Sequence, residues 1–254
     1  MREEKPKYGW YVKGLIVGFL ITGLIGLSIF LFGFIFEGFL RIMLLTVGGS
    51  IIFLFLWPAI GMAVLNLTLS DNDSIKKWMK SLNKIESPQI LDIGCGTGRT
   101  AIKIAKEMDD KGHLYGIDIY IKLAISGNAL ETVQKNARIE KVEHNTTFQY
   151  GSATEIPFEN EKFDIVNVSS VLHEIHDIKG QQKVIQEIHR VLRPDSYLYL
   201  GEWNRTAWQL ILYMGVFCFV FKRKNYWKQL LMNNGFKEIQ LINNQGYIVF
   251  EATK

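Results

Sequence analysis

The chain has 254 residues, a length typical of one or two domains, and 48% of them are hydrophobic against 21% charged. This composition excludes a disordered chain, and two cysteines, Cys95 and Cys218, are too few for a disulfide-stapled secreted scaffold. A net charge of +4 is too small to predict a nucleic-acid partner. The hydrophobic residues are concentrated near the N-terminus.

Two apolar runs in this region have the length of membrane-spanning helices. Residues 10–36 carry one charge, Lys13, and residues 42–69 carry none. The first run has 27 residues. As a helix it would be about 40 Å long, more than the roughly 30 Å of a hydrocarbon core. We therefore predict that residues 1–70 form a transmembrane helical hairpin. The alternative is a pair of buried helices in a soluble core.

Glycines and charges refine this prediction. Four glycines of the first run would allow close helix packing: Gly14, Gly18, Gly23 and Gly26. Pro58 predicts a kink in the second helix. Basic residues flank the outer ends of both runs, whereas the turn between them offers only Arg41. The positive-inside rule then places both ends and everything after residue 70 in the cytoplasm, with two spans in the cell membrane. Residues 71–88 are expected to form a juxtamembrane linker helix.

Beyond Pro88, residues 89–254 alternate between strand and helix patterns, which is typical of a parallel α/β sheet. A short apolar strand runs into the glycine-rich loop, residues 94–98, and a second strand ends at Asp118. Glycines let the backbone approach a ligand closely. An acid about 20 residues after such a loop can accept hydrogen bonds from both ribose hydroxyls.

The spacing of the glycines discriminates between nucleotide-binding families. A dinucleotide fingerprint needs a third glycine where Arg99 stands, and no Gly-Lys-Ser/Thr follows to complete a phosphate-binding loop. The pattern D-x-G-x-G-x-G, from Asp92 to Gly98, resembles instead the first motif of the class I S-adenosylmethionine-dependent methyltransferases.

Four later segments extend this resemblance. Residues 151–158 resemble the G-D-A-x-x-L-P-F loop of the family, and residues 163–166 resemble its fourth strand. Residues 191–194 and 233–236 resemble the turns before strands five and six. The similarity covers about residues 85–254. It is greatest to the branch of menaquinone, ubiquinone and other small-molecule methyltransferases. It implies an α/β fold with a Rossmann-like, doubly wound, mostly parallel seven-stranded sheet whose last strand is antiparallel.

The resemblance also implies S-adenosyl-L-methionine as the cofactor. The residues that it places at the cofactor are Asp92, Gly94, Cys95, Gly96, Gly98, Asp118, Ile119, Ser152, Ala153 and Ser169. Asp118 matches the ribose-binding acid of the family. Ser152 stands where the family often has an acid, and a hydroxyl is a weaker acceptor than a carboxylate. Ser152 is therefore expected to contribute less to cofactor affinity than Asp118.

The segment after strand four, residues 169–177, holds the candidate catalytic residues His173 and Glu174. A histidine has the ordinary pKa needed to deprotonate a phenol or thiol, so His173 is the candidate general base. The alternative is that both residues begin a helix and pack beside the methionine part of the cofactor. A metal site is not predicted, because His173 and His176 have the wrong spacing and no third ligand is evident.

Residues 204–224 contain an apolar stretch of 14 residues, from Trp208 to Phe221, followed by three cations. This stretch is too short to span a bilayer. It is either a buried helix or an interfacial helix with its basic end among anionic headgroups. The family places an acceptor-covering insertion here, so both interpretations are compatible.

The resemblance and the hairpin together imply a membrane-anchored methyltransferase that acts on a lipid or other apolar small-molecule acceptor at the bilayer. Two alternatives stay open: a protein or peptide methyltransferase beside a membrane partner, and a non-catalytic membrane assembly factor with this fold. The acceptor atom and the oligomeric state do not follow from the sequence. A chain starting near Ser70 is expected to fold and to bind the cofactor.

Overall fold

The computed structural model describes residues 4–68, 79–108, 111–121, 124–244 and 246–254, and it consists of a helical hairpin and an α/β domain. Most of the predicted linker helix lies outside the described residues. The part from Met79 onward contains a 3₁₀ turn, Lys80–Asn83. Met79 is fully buried, and the hydroxyls of Ser81 and Tyr199 are 2.8 Å apart. This end of the segment therefore packs on the sheet.

Two continuous helical stretches form the hairpin. Its elements are α1 (Lys13–Phe32), a 3₁₀ turn (Gly33–Ile35), α2 (Gly38–Ile51), a π-helical turn (Ile52–Leu56) and α3 (Trp57–Thr68). The stretches Lys13–Ile35 and Gly38–Leu67 are each long and apolar enough to cross a membrane. In the most apolar 18 residues of each stretch, only 17% of the first and 6% of the second are buried inside the protein. Most of the apolar surface of the hairpin is thus not covered by the protein.

Pro58 widens the second helix. The N–H of Trp57 donates to the carbonyl of Ile52, five residues earlier. Proline lacks an N–H, and its ring crowds the carbonyl four residues before it, so a regular α-helix cannot continue through this position. The π-helical turn accommodates both effects. The predicted irregularity is therefore found one turn before the proline itself.

The helices of the hairpin approach closely at the later glycines of α1 and at Gly48 of α2. A Cβ atom on Gly23 would lie 2.6 Å from Cβ of Leu56, and one on Gly26 would lie 2.5 Å from Cγ2 of Ile51. Gly14 and Gly18 have no such neighbour among the described residues, so the prediction that they belong to the packing interface is wrong.

The first helix begins at Lys13 rather than at Trp10. Residues 4–12 are not helical and lie on the α/β domain; they are here called the N-terminal strap. The hydroxyl of Thr97 donates to the carbonyl of Tyr8 at 2.8 Å. The N–H of Ser126 donates to the carbonyl of Trp10 at 3.0 Å. The strap thereby connects the hairpin to the glycine-rich loop.

The sheet has seven strands in the order β3-β2-β1-β4-β5-β7-β6. The strands are β1 (Gln89–Ile93), β2 (His113–Asp118), β3 (Thr146–Tyr150), β4 (Phe163–Ser169), β5 (Leu192–Trp203), β6 (Lys237–Asn244) and β7 (Tyr247–Thr253). Strands β1 to β5 are parallel, and β7 is antiparallel to both of its neighbours. The predicted fold class is confirmed.

Helices cover both faces of this sheet. They are α4 (Arg99–Glu107), α5 (Leu130–Ile139), α6 (Ile178–Val191) and α8 (Lys224–Asn233). Helix α7 (Trp208–Met214) packs on α3 instead. Successive residues of β1 point to opposite faces, so Ile90 packs with α4 and α5 and Leu91 packs with α6. The strand order reverses between β1 and β4. Ligands bind beyond the carboxyl ends of strands at such a switch point.

Candidate active site

A cavity of about 620 Å³ lies at this switch point. One wall belongs to the α/β domain and includes Gly94, Asp118, Ile119, Ser152, Ala153 and Val171. The opposite wall belongs to the strap, the hairpin and the segment after β5, and includes Tyr11, Val12, Met62, Leu65, Asn66 and Met214. The cavity therefore reaches from the glycine-rich loop to the hairpin.

The glycine-rich loop uses its backbone N–H groups within the protein. Those of Gly94 and Cys95 donate to the carbonyl of Ile117 at 2.8 and 3.1 Å, and that of Gly96 donates to Asp118 at 2.9 Å. A phosphate-binding loop directs such groups at its ligand instead. The loop thus suits a nucleoside without phosphates, in agreement with the spacing of its glycines.

Gly94 brings the end of β1 close to the segment after β4. Its φ of +71° lies in the left-handed region, and a Cβ atom here would overlap the side chain of Val171. Both residues line the cavity. Any other residue at position 94 would strain the backbone and push this wall inward.

Asp118 and Asn128 present acceptor oxygens at the cavity wall. The Asp118 carboxylate accepts hydrogen bonds from the N–H of Gly96 at 2.9 Å, the N–H of Tyr120 at 2.5 Å and the amide of Asn128 at 3.4 Å. A carboxylate has about four lone-pair sites, so it retains capacity for a ligand. Oδ1 of Asn128 is buried and has no hydrogen-bond partner among the described residues. This region therefore suits a ligand with hydroxyl donors.

Ser152 also lines the cavity, but its hydroxyl is engaged locally. It lies 2.8 Å from the hydroxyl of Thr154 and accepts a hydrogen bond from the backbone N–H of the same residue at 3.2 Å. Its weaker role in cofactor binding stays a prediction.

The other residues predicted to contact a cofactor do not line the cavity: Asp92, Cys95, Gly96, Gly98 and Ser169. Asp92 lies beneath the loop and accepts a hydrogen bond from Asn167 at 2.6 Å. Burial raises the pKa of Asp92 to about 7 against the effect of this hydrogen bond, and burial also raises the pKa of the Cys95 thiol. Asp92 therefore supports the loop from below and does not face the cavity.

The candidate base His173 lines the cavity and contacts two carboxylates. Its Nδ1 lies 2.8 Å from Oε2 of Glu202, and its Nε2 lies 3.4 Å from Oε1 of Glu174. Burial favours the neutral ring, but the hydrogen bonds to Glu174 and Glu202 outweigh it and raise the pKa of His173 to about 9. The sequence pattern did not reveal Glu202, which is 29 residues away along the chain.

Asn66 of α3 connects the hairpin to the strap at the cavity wall. Its Oδ1 accepts a hydrogen bond from the N–H of Tyr11 at 2.8 Å. Its Nδ2 donates to the carbonyls of Met62 and Tyr11 at 2.9 and 3.3 Å. A chain starting near Ser70 would lack the strap and this part of the cavity wall, and its binding of the cofactor stays a prediction.

We expect Asn66→Leu to release the strap. The substitution leaves the backbone N–H and carbonyl of Tyr11 without their side-chain partner, at a cost of about 1–3 kcal/mol. Hydrogen exchange at Tyr11 and Val12 should accelerate by about tenfold. Thr46→Ala is the matched control, because its hydroxyl bonds only within α2. Unchanged exchange in Asn66→Leu would contradict this role.

Residues 204–224 do not form the single helix that the apolar stretch predicts. Helix α7 (Trp208–Met214) ends at Gly215, whose φ is +54°, and a 3₁₀ helix, Gly215–Val220, follows. Nε1 of Trp57 donates to the carbonyl of Leu212 at 2.6 Å. The segment therefore packs along α3, and its inner face reaches the cavity through Met214.

A family model described as a methyltransferase domain matches residues 86–239, well over half of the chain. The chain belongs to this methyltransferase domain family. A demethylmenaquinone methyltransferase of Lactobacillus johnsonii is 31% identical over 132 residues, 52% of this chain and 50% of the relative. A 2-phytyl-1,4-naphtoquinone methyltransferase of Trichormus variabilis is 28% identical over 115 residues, 45% of this chain and 46% of the relative. The chain thus spans about half the length of these relatives.

Solved structures agree on the fold of this methyltransferase domain. A SAM-dependent methyltransferase from Aquifex aeolicus has a TM-score of 0.57 at 17% identity, covering 77% of this chain and 97% of that one. One from Methanosarcina mazei has a TM-score of 0.55 at 22% identity, covering 70% and 97%. The predicted resemblance to class I S-adenosylmethionine-dependent methyltransferases is confirmed. S-adenosylmethionine, the cofactor of this family, carries a ribose and no phosphate. It therefore fits a loop whose N–H groups bond within the protein, beside acceptor oxygens on Asp118 and Asn128.

Proposed function

We propose that this protein is a membrane-anchored methyltransferase that uses S-adenosylmethionine to methylate a quinone-like or other apolar small-molecule acceptor. The observation that carries the proposal is the shared cavity, which joins the glycine-rich loop to the hairpin. The relatives named for demethylmenaquinone and phytyl-naphthoquinone support a quinone-like acceptor.

The domain side of the cavity would hold the cofactor. Asp118 would accept hydrogen bonds from the ribose hydroxyls, and the oxygen of Asn128 offers a further acceptor beside it. When bound, S-adenosylmethionine supplies a methyl group that its sulfonium already activates. Positioning by the protein then provides most of the rate, and a base is needed only where the acceptor arrives protonated.

The hairpin side of the cavity would hold the acceptor. Met62, Leu65 and Met214 give it apolar walls, and Trp203 and Phe221 add aromatic rings. Flat aromatic ligands pack well against such rings. His173 lies 5.1 Å from the ring of Phe221, between centroids, and places one ionisable group in this half. The combination suits an aromatic ring that carries a hydroxyl and a long apolar substituent.

The hairpin supports the membrane location. Exposed apolar side chains cover most of both helices, whereas the core helices of a soluble protein would be mostly buried. We propose a hairpin over residues 1–70, a linker over residues 71–88 and a cytoplasmic methyltransferase domain over residues 89–254, oriented by the positive-inside rule.

The segment beside α3, residues 204–224, extends this membrane contact. The ring of Phe217 packs on that of Phe19, with 4.6 Å between centroids. The outward side chains of Trp208, Phe219 and Val220 are 67%, 62% and 71% exposed. Three cations follow them, where anionic headgroups would lie. We propose that this segment dips into the interface and covers the acceptor.

We expect Phe219→Glu to suppress methylation of an acceptor embedded in liposomes and to spare methylation of the same acceptor in detergent. A carboxylate on this face opposes insertion among apolar chains and repels anionic headgroups. Met232→Glu is the matched control, because Met232 is 53% exposed on α8, outside the proposed interface. Equal losses of methylation in liposomes and in detergent would mean that the segment only stabilises the fold.

The class of acceptor can be identified directly. Full-length protein is incubated with deuteromethyl-labelled S-adenosylmethionine and native membranes, and the apolar extract and the proteins are analysed by mass spectrometry. Label in an apolar small molecule supports the proposal. Label confined to proteins would instead assign a protein methyltransferase. Cofactor binding without transfer to either fraction would assign a non-catalytic role.

A further inference from the structure

Glu202 is a buried carboxylate whose two oxygens are both directed at the segment that carries His173. It lies near the carboxyl end of β5, and its side chain is 1% exposed. Oε1 accepts hydrogen bonds from the backbone N–H groups of Leu172 and His173 at 2.8 and 3.3 Å. Oε2 lies 2.8 Å from Nδ1 of the His173 ring.

This geometry determines which ring nitrogen carries hydrogen. An ionised carboxylate only accepts hydrogen bonds, so the hydrogen of the Glu202–His173 contact must sit on Nδ1. In the neutral ring the lone pair then lies on Nε2. Fixing one nitrogen by a hydrogen bond is a common way to orient a histidine base.

We infer that Glu202 is the positioning residue for His173: it fixes the Nδ1–H tautomer and thereby makes Nε2 the atom that takes a proton from the acceptor. The inference rests on the proposed function. In this step the O–H bond of the acceptor breaks and its electron pair stays on oxygen. The proton forms a bond with Nε2, and the resulting imidazolium is paired with the carboxylate of Glu202.

Other charged groups near His173 have weaker or indirect effects. Glu174, on the same 3₁₀ turn, contacts Nε2 at 3.4 Å, but its side chain is 56% exposed and water screens its charge. His176 lies close enough to influence Glu174. On β7, the buried hydroxyl of Tyr247 is near Glu202, and burial followed by the charge of Glu202 raises the pKa of this tyrosine. Of the two carboxylates that contact the His173 ring, Glu202 is therefore the one whose charge water does not screen.

Glu202 also holds the backbone of the turn, so a test must separate that structural role from its effect on the ring. Glu202→Gln keeps a carbonyl oxygen for the two backbone N–H groups. It removes the negative charge and places an amide donor or a neutral oxygen against Nδ1. Glu174→Gln is the matched comparison, because it removes the other carboxylate from the same ring.

The experiment is a pH titration of the histidine rings by NMR, with full-length protein labelled at histidine and held in detergent micelles. The His173 signal is identified by its loss in His173→Gln. Above the titration midpoint, where the ring is neutral, we expect the Nδ1–H tautomer in the native protein. In Glu202→Gln the midpoint should fall by at least about one pH unit, a tenfold loss of proton affinity, with a smaller shift in Glu174→Gln. Turnover of Glu202→Gln should fall at least about tenfold while its cofactor affinity stays within twofold.

The NMR readout needs no acceptor, so it separates this inference from the proposed function. An unchanged midpoint in Glu202→Gln, or an Nε2–H tautomer in the native protein, would overturn the positioning role even if the protein methylates a quinone. The expected shift without methylation of any acceptor would leave the ring geometry intact and overturn its use as a base. Loss of cofactor binding in Glu202→Gln would assign Glu202 to the structure of the turn.

Discussion

Asp118→Ala is expected to weaken the binding of S-adenosylmethionine by about 1.5–3 kcal/mol, or roughly 10- to 150-fold. The variant loses the charge-assisted hydrogen bonds that the carboxylate would make to the ribose. It also leaves the N–H groups of Gly96 and Tyr120 without their acceptor. Both losses act on the same wall of the cavity, so calorimetric titration should detect a large change in affinity.

Asp164→Ala is the control for this experiment. Asp164 lies near the start of β4, at the opposite end of the sheet, and forms an ion pair with Arg193 at 2.5 Å. Its removal should leave cofactor affinity within about twofold, and thermal melting of both variants reports any loss of folding. Unchanged affinity in Asp118→Ala would remove Asp118 from the cofactor site.

His173→Ala is expected to lower turnover by about 10²- to 10⁴-fold and to leave cofactor affinity nearly unchanged, as for a group that acts only in the transition state. The neutral ring is the base, and hydrogen bonds to Glu174 and Glu202 raise its pKa to about 9 against the effect of burial. Turnover of the native protein should therefore rise with pH until about 9. Activity of the variant within about threefold at every pH would favour the packing role instead.

The same pKa predicts a pH-dependent contribution to stability. The value of about 9 lies above the ordinary 6.5, so the folded protein binds the proton more tightly than the unfolded chain. The stabilisation from His173 is fully present below pH 6.5 and is lost as pH rises through about 9. The difference in unfolding free energy between the native protein and His173→Ala should shrink over that range.

Local patterns explain why the fold, and the cavity wall that Gly94 and Asp118 form, could be predicted. The glycines of the loop and Asp118 are close along the chain, and their spacing reflects one strand, one turn and the next strand. Alternating strand and helix patterns define the sheet for similar reasons. The antiparallel β6 and β7 are also joined by a short connection.

The remaining features depend on contacts between distant segments. The cationic residues before Lys13 predict a membrane flank, but nothing in them indicates that Tyr8 lies on Thr97, 89 residues later. Glu202 reaches His173 only because β4 and β5 are neighbours. The break at Gly215 follows from a left-handed backbone and the packing of α7 on α3, which override the uniform hydrophobicity of the stretch.

The most direct test of the shared cavity is photo-crosslinking in liposomes. A naphthoquinone that carries a photoreactive group on a long apolar chain is embedded with the full-length protein, and the labelled residues are mapped by mass spectrometry. The account predicts labels on Met62 and Leu65 of α3 and on Met214 of α7, all of which line the cavity, and excess unlabelled quinone should remove them. Labels confined to the outer face of the hairpin, such as Phe39 at 81% exposure, would contradict it.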